Sequence, residues 1–324
     1  MWNSYSNESN NKAPVLYGIC GPTASGKTAL AVQAAQRLGA EIVSADSMQV
    51  YRGMDILSAV PSAEETKGVR HHLISFVPCE ERYNASRYRE DAMKAVGDIY
   101  TRGALPLLCG GTGLYIDALT RGIRMAEEAD LSYREELKKI ASEPGGEFRL
   151  HDMLSSLDPD SARKYPPGDV RRVIRSLEII RATGKPRGEA EKEDREREED
   201  FRCRLFALKW DRAVLYRRID KRVDDMLCRG LTDEVKRLMK ADMQVQETAA
   251  QAIGFKEIRL ALEGTISMDE AVELVKRNTR RLAKRQETWF KRDERVQWFE
   301  TDGSNINDIC DRIVHTIQEE MHDS

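Results

Sequence analysis

The stretch that decides the fold is "GPTASGKT", Gly21 to Thr28, preceded by the apolar run "VLYGI" (Val15 to Ile19) and followed by "KTALAVQAAQRL". A strand that ends in G-x-x-x-x-G-K-[ST] and runs on into a helix makes a loop for holding phosphate. Its backbone N–H groups point inward, the helix N-terminus adds positive potential, Lys27 reaches the outer phosphates, and the Thr28 hydroxyl is offered to Mg²⁺. Gly21 and Gly26 let the backbone approach the anion with no Cβ in the way, and Pro22, Thr23, Ala24 and Ser25 complete the cradle. The motif alone does not separate ATP from any other diphosphate.

Working outward, residues 13–120 alternate short apolar strands with amphipathic helices, the pattern of a mostly parallel sheet covered by helices. The strands expected are Val15–Ile19, Glu41–Ala45, His72–Phe76 and Leu105–Cys109. Residues 121–200 change character to helices ("YREELKKIASE", "DVRRVIRSLEIIRATGK") broken at "EPGGE" and "YPPGD". They close on "RGEAEKEDREREED", with eight acids among fourteen residues, which reads as a solvated helix or linker. Residues 201–324 return with a strand in "RLFALKW", long helices, and a short strand at Val296–Phe299. The fold class expected is α/β: a P-loop NTPase-like core, interrupted by a helical insertion and completed by basic C-terminal helices.

The chain has 324 residues and a net charge of −3, so a nucleic-acid surface must be a local patch. No stretch reaches the length of a membrane span. The opening "MWNSYSNESNNKAP" lacks a signal core and reads as a disordered lead-in. Six cysteines, with no C-x-x-C pair, suit reduced packed thiols of a cytoplasmic protein. Nothing demands a dimer, and a monomer is the expectation.

Three further groups carry chemistry. Strand two ends at Asp46, on the sheet edge where ligands collect. A carboxylate there serves as a general base or a metal-associated acid, unless it is simply a helix N-cap. Ser47 and Gln49 beside it are suited to a base edge. Strand four leads into "GGTGLY", Gly110 to Tyr115, a close-approach loop or plain tight turn with Thr112 at its tip. Residues 276–295 hold nine basic and three acidic side chains. There Val272, Val275, Thr279, Leu282, Gln286 and Trp289 form the packed stripe of a helix, and Arg277, Arg281, Lys284 and Arg285 lie away from it. Arg171, Arg172 and Arg175 start a second basic helix, and two patches point to a long polyanion. His71 and His72, without ligand-spaced partners, read as structural or hydrogen-bonding residues.

Seven blocks in order, "GPTASGKT", "DSMQVYRGMDI", "HHLI", "GGTGLYIDAL", "DVRRVIRSLEIIRATGKP", "QAIGFKEI" and "TRRLAKRQETWF", resemble the tRNA dimethylallyltransferases (tRNA isopentenyltransferases) from about residue 15 to 300. That resemblance implies transfer of a dimethylallyl group from dimethylallyl diphosphate, held in the P-loop with Mg²⁺. The acceptor implied is the adenosine 3′ to the anticodon, in tRNAs reading codons that begin with U. By the same resemblance Asp46 is the general base, Thr23 meets the oxygen bridging carbon and diphosphate, and Arg218, or Arg217 in a shifted register, is directed at the diphosphate. It places Ser47, Met48 and Gln49 at the target base, and Thr112, Arg134 and the segment Arg171, Arg172, Val173, Ile174, Arg175 at the tRNA. The chain departs from the family pattern at Leu57, Val60 and Glu90, and ends without a zinc-finger extension, as in the bacterial form. A small-molecule P-loop kinase and a prenyltransferase acting on free adenylate are the competing readings.

Overall fold

The computed structural model describes residues 14–121, 131–195, 200–240, 248–301 and 304–322. The strands are β1 (Val15–Cys20), β2 (Ala40–Ser44), β3 (His71–His72), β4 (Leu105–Gly110), β5 (Arg202–Lys209) and β6 (Val296–Glu300). The first helices are α1 (Lys27–Leu38), α2 (Ala63–Thr66), α3 (Ala85–Thr101) and α4 (Gly113–Thr120). Then come α5 (Leu131–Ser142), α6 (Gly146–Leu157), α7 (Pro159–Lys164), α8 (Val170–Thr183) and α9 (Arg187–Arg195). The chain closes with α10 (Arg212–Cys228), α11 (Leu231–Lys240), α12 (Phe255–Leu262), α13 (Met268–Phe290) and α14 (Ile306–His322).

The six strands form one parallel sheet in the order β3-β2-β4-β1-β5-β6. Strands covered on both faces read as apolar runs rather than alternations, which is why "VLYGIC" and "LPLLCG" are legible without a period. On one face α1 and α14 close over Tyr17, Ile19, Phe206 and Phe299, with Ile313 and Ile317 fully buried against them. The α/β expectation holds.

Strand three is the exception. A run over His72–Phe76 was expected, but pairing stops at His72 because Leu73 and Ser75 take φ of 61° and 48°. The backbone turns away and bonds the loop after β2 instead, Ser75 N–H to Gln49 O at 2.8 Å and Phe76 N–H to Val50 O at 2.9 Å.

The chain forms two compact units, Met1–Thr120 with Phe201–Ser324, and Arg121–Asp200. The whole sheet lies in the first. The second packs α5, α6, α7 and α8 around Leu137, Leu150, Leu154, Val173 and Leu177. Within it Asp158 caps α7 through Ser161 N–H at 3.0 Å and also accepts Arg187 N–H at 2.9 Å. The lead-in up to Ala13 and residues 196–199 of the acidic run lie outside the described residues, while the run's earlier part forms α9. Among the described residues no helix is long and apolar enough to cross a membrane.

Candidate active site

The ends of β1, β4 and β2 lie side by side, so the loops that follow them share one edge of the sheet. After β1 the chain turns through Gly21 (φ 130°), Ala24 (φ 61°) and Gly26 (φ 94°) before α1 begins at Lys27. Ala24 is a left-handed residue that is not glycine, a conformation costing on the order of 1 kcal/mol. It is held there by packing on Leu215, Ile219 and Ala283. Two side chains of the β5–α10 segment bind carbonyls of the loop: Trp210 Nε1–H donates to Ser25 O and Arg218 Nε–H to Ala24 O, each at 2.8 Å. The Arg218 guanidinium lies 4.3 Å over the Trp210 ring. Arg217 is exposed and has no ion pair among the described residues.

Asp46 follows β2 directly. Its Oδ1 accepts Met48 N–H at 2.9 Å and Gln49 N–H at 3.4 Å. This turn fixes the carboxylate and leaves Oδ2 without a hydrogen bond among the described residues. Thr112 joins the neighbouring loop to it: its hydroxyl accepts Ser47 N–H at 3.0 Å, and its own N–H donates to Ala45 O at 3.0 Å. Gly110 is obligatory, since a Cβ there would lie 2.1 Å from Ala45 O.

The next two glycines admit a helix rather than a phosphate. A Cβ on Gly111 would lie 2.3 Å from Gln286 Nε2, and one on Gly113 2.3 Å from the Trp289 indole. Gln286 bridges both loops, accepting Thr23 N–H at 2.8 Å through Oε1 and donating from Nε2 to Gly111 O at 3.1 Å. The stripe of α13 is therefore rotated from the expected one: Ala271, Val275, Ala283 and Phe290 are buried. Trp289, expected in the packed stripe, is 44% exposed while its ring covers Gly113.

Electrostatics add two groups that sequence reasoning did not place in the site. Burial lowers the pKa of Lys27, and Asp46 opposes the shift. Burial lowers that of Arg222 in the same way, again with Asp46 opposing, and Arg222 is one of the charges acting on Lys27. Arg222 lies one turn beyond Arg218 on α10, so the face read from Arg218 continues to it. The second group is His71, which lines one cavity with Lys27, Thr28, Ser44, Asp46 and Gln49. Its Nδ1–H donates to Val69 O at 2.9 Å, and its Nε2 is buried with no partner among the described residues. Burial holds the ring below the ordinary histidine range, so this nitrogen is a neutral acceptor. His72 is structural, its Nε2 lying 2.6 Å from Glu41 Oε2.

The basic helix sorts its charges. Arg280 makes a bidentate pair with Asp220 at 2.7–2.8 Å, and Lys276 lies 2.7 Å from Asp224, zipping α13 to α10. Lys291 pairs with Glu287 at 2.7 Å, and Arg295 is enclosed by Asp117 and Asp293. Arg277, Arg281, Lys284 and Arg285 are exposed, with no ion pair among the described residues.

In the second unit Arg134 and Arg175 both bind the buried Glu178, Arg134 through two hydrogen bonds. Val173 and Ile174, expected at the tRNA, are 0% and 8% exposed and belong to that unit's apolar core. The exposed side chains of that turn are Arg171 and Arg172. Of the family departures, Leu57 is buried with its Cδ1 2.9 Å from where a Cβ on Gly254 would stand. Val60 closes a turn by donating to Asp55 O at 2.9 Å, and Glu90 is exposed on α3.

Whether the residues suit a cation is answered by their donors. Among the described residues no cluster of three or more His, Cys, Asp or Glu can cage a metal. The cavity does offer hard oxygens, the Thr28 hydroxyl and the Asp46 carboxylate, beside Lys27. That set fits Mg²⁺, which keeps its waters and is bound mainly through substrate phosphates.

A parallel sheet with a glycine loop of P-loop sequence after β1 and a fixed carboxylate after β2 defines an α/β protein with a P-loop-like core. The IPP transferase family model matches residues 49–293. The chain is 43% identical over 310 residues to the tRNA dimethylallyltransferase of Pelotomaculum thermopropionicum, covering 95% of this chain and 97% of that one. It is 45% identical over 285 residues to that of Geobacter metallireducens, covering 88% and 92%. The structure is similar to the tRNA isopentenylpyrophosphate transferase of Bacillus halodurans, with TM-score 0.71, 39% identity, and coverage of 96% and 98%. It is also similar to a eukaryotic dimethylallyltransferase acting on tRNA, with TM-score 0.75, 30% identity, and coverage of 89% and 74%. The chain belongs to the IPP transferase family.

Proposed function

We propose that this protein transfers the dimethylallyl group of dimethylallyl diphosphate to the exocyclic amine of the adenosine 3′-adjacent to the anticodon, in tRNAs reading codons that begin with U. The observation that carries the reading is a fixed carboxylate, Asp46, lining one cavity with Lys27 and Thr28 of the glycine loop, with Arg222 close enough to act electrostatically on both charged groups. The diphosphate lies on the N–H groups of Ala24, Gly26, Lys27 and Thr28, with Lys27, Arg218 and Arg222 against its charge. The target base leaves its stack to enter the crevice. Gln49 meets it with a carbonyl oxygen, because its Nε2 donates to Ala59 O at 3.2 Å and Ser58 O at 3.5 Å. Ser47 and Met48 lie on the same turn.

In the transfer step the amine nitrogen bonds to the allylic carbon, the carbon–oxygen bond to diphosphate breaks, and Asp46 Oδ2 takes the amine proton. The Thr23 hydroxyl donates to the departing bridging oxygen, where charge develops. The Thr28 hydroxyl would hold Mg²⁺, which would supply charge neutralisation to the diphosphate when bound. The unpaired Arg277, Arg281, Lys284 and Arg285 take phosphates of the tRNA, and in the second unit the exposed Arg171 and Arg172 are suited to the same task. The protein acts as a cytoplasmic monomer.

The test is incubation with radiolabelled dimethylallyl diphosphate, Mg²⁺ and one of unmodified tRNA, AMP, or ATP with tRNA. Label in tRNA alone is expected. Label in AMP, or ATP consumption without prenyl transfer, would select the adenylate prenyltransferase or the kinase instead.

A further inference from the structure

The Gln49 carboxamide owes its orientation to backbone that does not belong to the sheet. Both acceptors of its Nε2, the carbonyls of Ser58 and Ala59, lie on the segment 54–60, and its Oε1 accepts Ser44 Oγ–H at 3.1 Å. That segment closes on itself. Ser58 N–H donates to Met54 O at 2.9 Å, Ala59 N–H to Ile56 O at 3.0 Å and Val60 N–H to Asp55 O at 2.9 Å. Ala59 sits at φ 50°. A loop of this kind has internal shape but needs an external anchor to have a position.

The anchor comes from α11. Glu234, 2% exposed, accepts Ile56 N–H at 2.9 Å through Oε2 and Leu57 N–H at 2.7 Å through Oε1. Beside it Leu57 packs on Gly254 at the start of α12. A buried carboxylate is a costly way to fill space, and an apolar side chain of equal size would often pack as well. Two parallel charge-assisted bonds to consecutive amides instead fix where those amides lie.

We propose that Glu234 is a positioning residue for recognition of the acceptor base: it holds the 54–60 segment so that the Gln49 amide presents its oxygen, and not its nitrogen, to the base. A purine with an exocyclic amine donates to that oxygen, whereas one carrying a carbonyl at that position does not. The inference rests on the functional reading above, and its test separates the two.

The measurement is the affinity of an anticodon stem-loop RNA carrying adenosine or inosine at the position 3′ to the anticodon. It is made for wild type, E234Q, Q49A and the double variant, with urea unfolding of each. E234Q keeps the shape but offers an oxygen to only one of the two amides. It is expected to reduce the preference for adenosine by about tenfold, the effect of losing one charge-assisted bond and stranding one amide. It should add nothing in the Q49A background, since residues acting through one another are non-additive. If E234Q is less stable but keeps the wild-type preference, or if its effect multiplies with that of Q49A, Glu234 is only a packing residue and the proposal fails. If E234Q does not fold, E234D, which keeps the charge but is one methylene shorter, goes through the same cycle under the same criteria. Wild-type protein that binds the stem-loop with no preference for adenosine would overturn the functional reading itself, and this proposal with it.

Discussion

Gln286 is where the geometry makes its most exposed commitment. Changing it to Ala removes the acceptor of Thr23 N–H and the donor to Gly111 O. Each neutral bond is worth about 0.5–1.5 kcal/mol net, and a stranded N–H costs about 1–3 kcal/mol more, so a loss of roughly 2–3 kcal/mol in unfolding free energy is expected. Part of that should reach the chemistry, because Thr23 lies in the cradle and Gly111 precedes the threonine that holds Ser47. With about 1.4 kcal/mol per factor of ten, kcat/KM for the prenyl donor should fall about tenfold. Gln286→Glu separates the two halves. It keeps an acceptor for Thr23 N–H but sets an oxygen against Gly111 O, so it should harm the RNA side more than the donor side. Single-turnover transfer with each substrate titrated in turn, alongside urea unfolding, reads both. If Q286A transfers within twofold of wild type, the bridge does not position the cradle.

Four other outcomes follow from the site. Asp46→Asn should lower kcat by roughly 10²–10⁴ with tRNA and donor affinities within a few-fold, as loss of a positioned base does, measured under saturating single-turnover conditions. Arg222→Gln should weaken donor binding more than Arg218→Gln, because Arg222 shares the field of Lys27 and Asp46 while Arg218 braces a carbonyl; calorimetric titration with the donor decides between them. Replacing Arg281 and Arg285 with Gln should raise the tRNA KM and flatten its log–log salt dependence by about one unit per lost phosphate contact at most, with turnover at saturation unchanged. Glu41 is held down at about 2, chiefly by the Arg102 hydrogen bond and then by His72. A depressed carboxylate stabilises the fold above its unfolded pKa, so the stability gap between wild type and E41Q should be full at pH 7 and close as pH falls from about 4.5 towards 2 in urea titrations.

Much of this architecture could be read from local sequence because its determinants are local. A buried parallel strand is an apolar run, and a phosphate loop needs glycine at fixed offsets, so β1, β2, β4 and the loop at Gly21–Thr28 were legible. Strand β3 was overextended because "HHLISF" has strand composition, while Leu73 and Ser75 adopt left-handed backbone only through bonds to the 49–50 segment. The periodicity of α13 gave a helix but not its rotation, so Gln286 read as packing. Only the glycines at 111 and 113 carried a trace of its true neighbours, and glycine does not say what approaches it. Arg222 was missed because one turn of α10 repeats the same residue type, and only the structure shows Arg218 exposed and Arg222 half-buried. His71 was read as structural or hydrogen-bonding because no ligand-spaced carboxylate or cysteine accompanies it, and nothing in the sequence shows that its ring faces the cavity with Lys27 and Asp46.

The bond from Thr23 N–H to Gln286 spans 263 residues of chain. That distance has a meaning for synthesis. A ribosome that has released the first 120 residues has produced the glycine loop, the Asp46 turn and the four strands β1 to β4. It has not yet made β5, whose partner is β1, nor the helix that ties Thr23 to Gly111. A loop with its amides unbraced pays the ordering cost on each encounter with an anion, so the nascent chain should be a poor diphosphate binder. Because contacts this remote in sequence also form late in folding, competence for the donor should arrive near the end of translation rather than when its motif emerges.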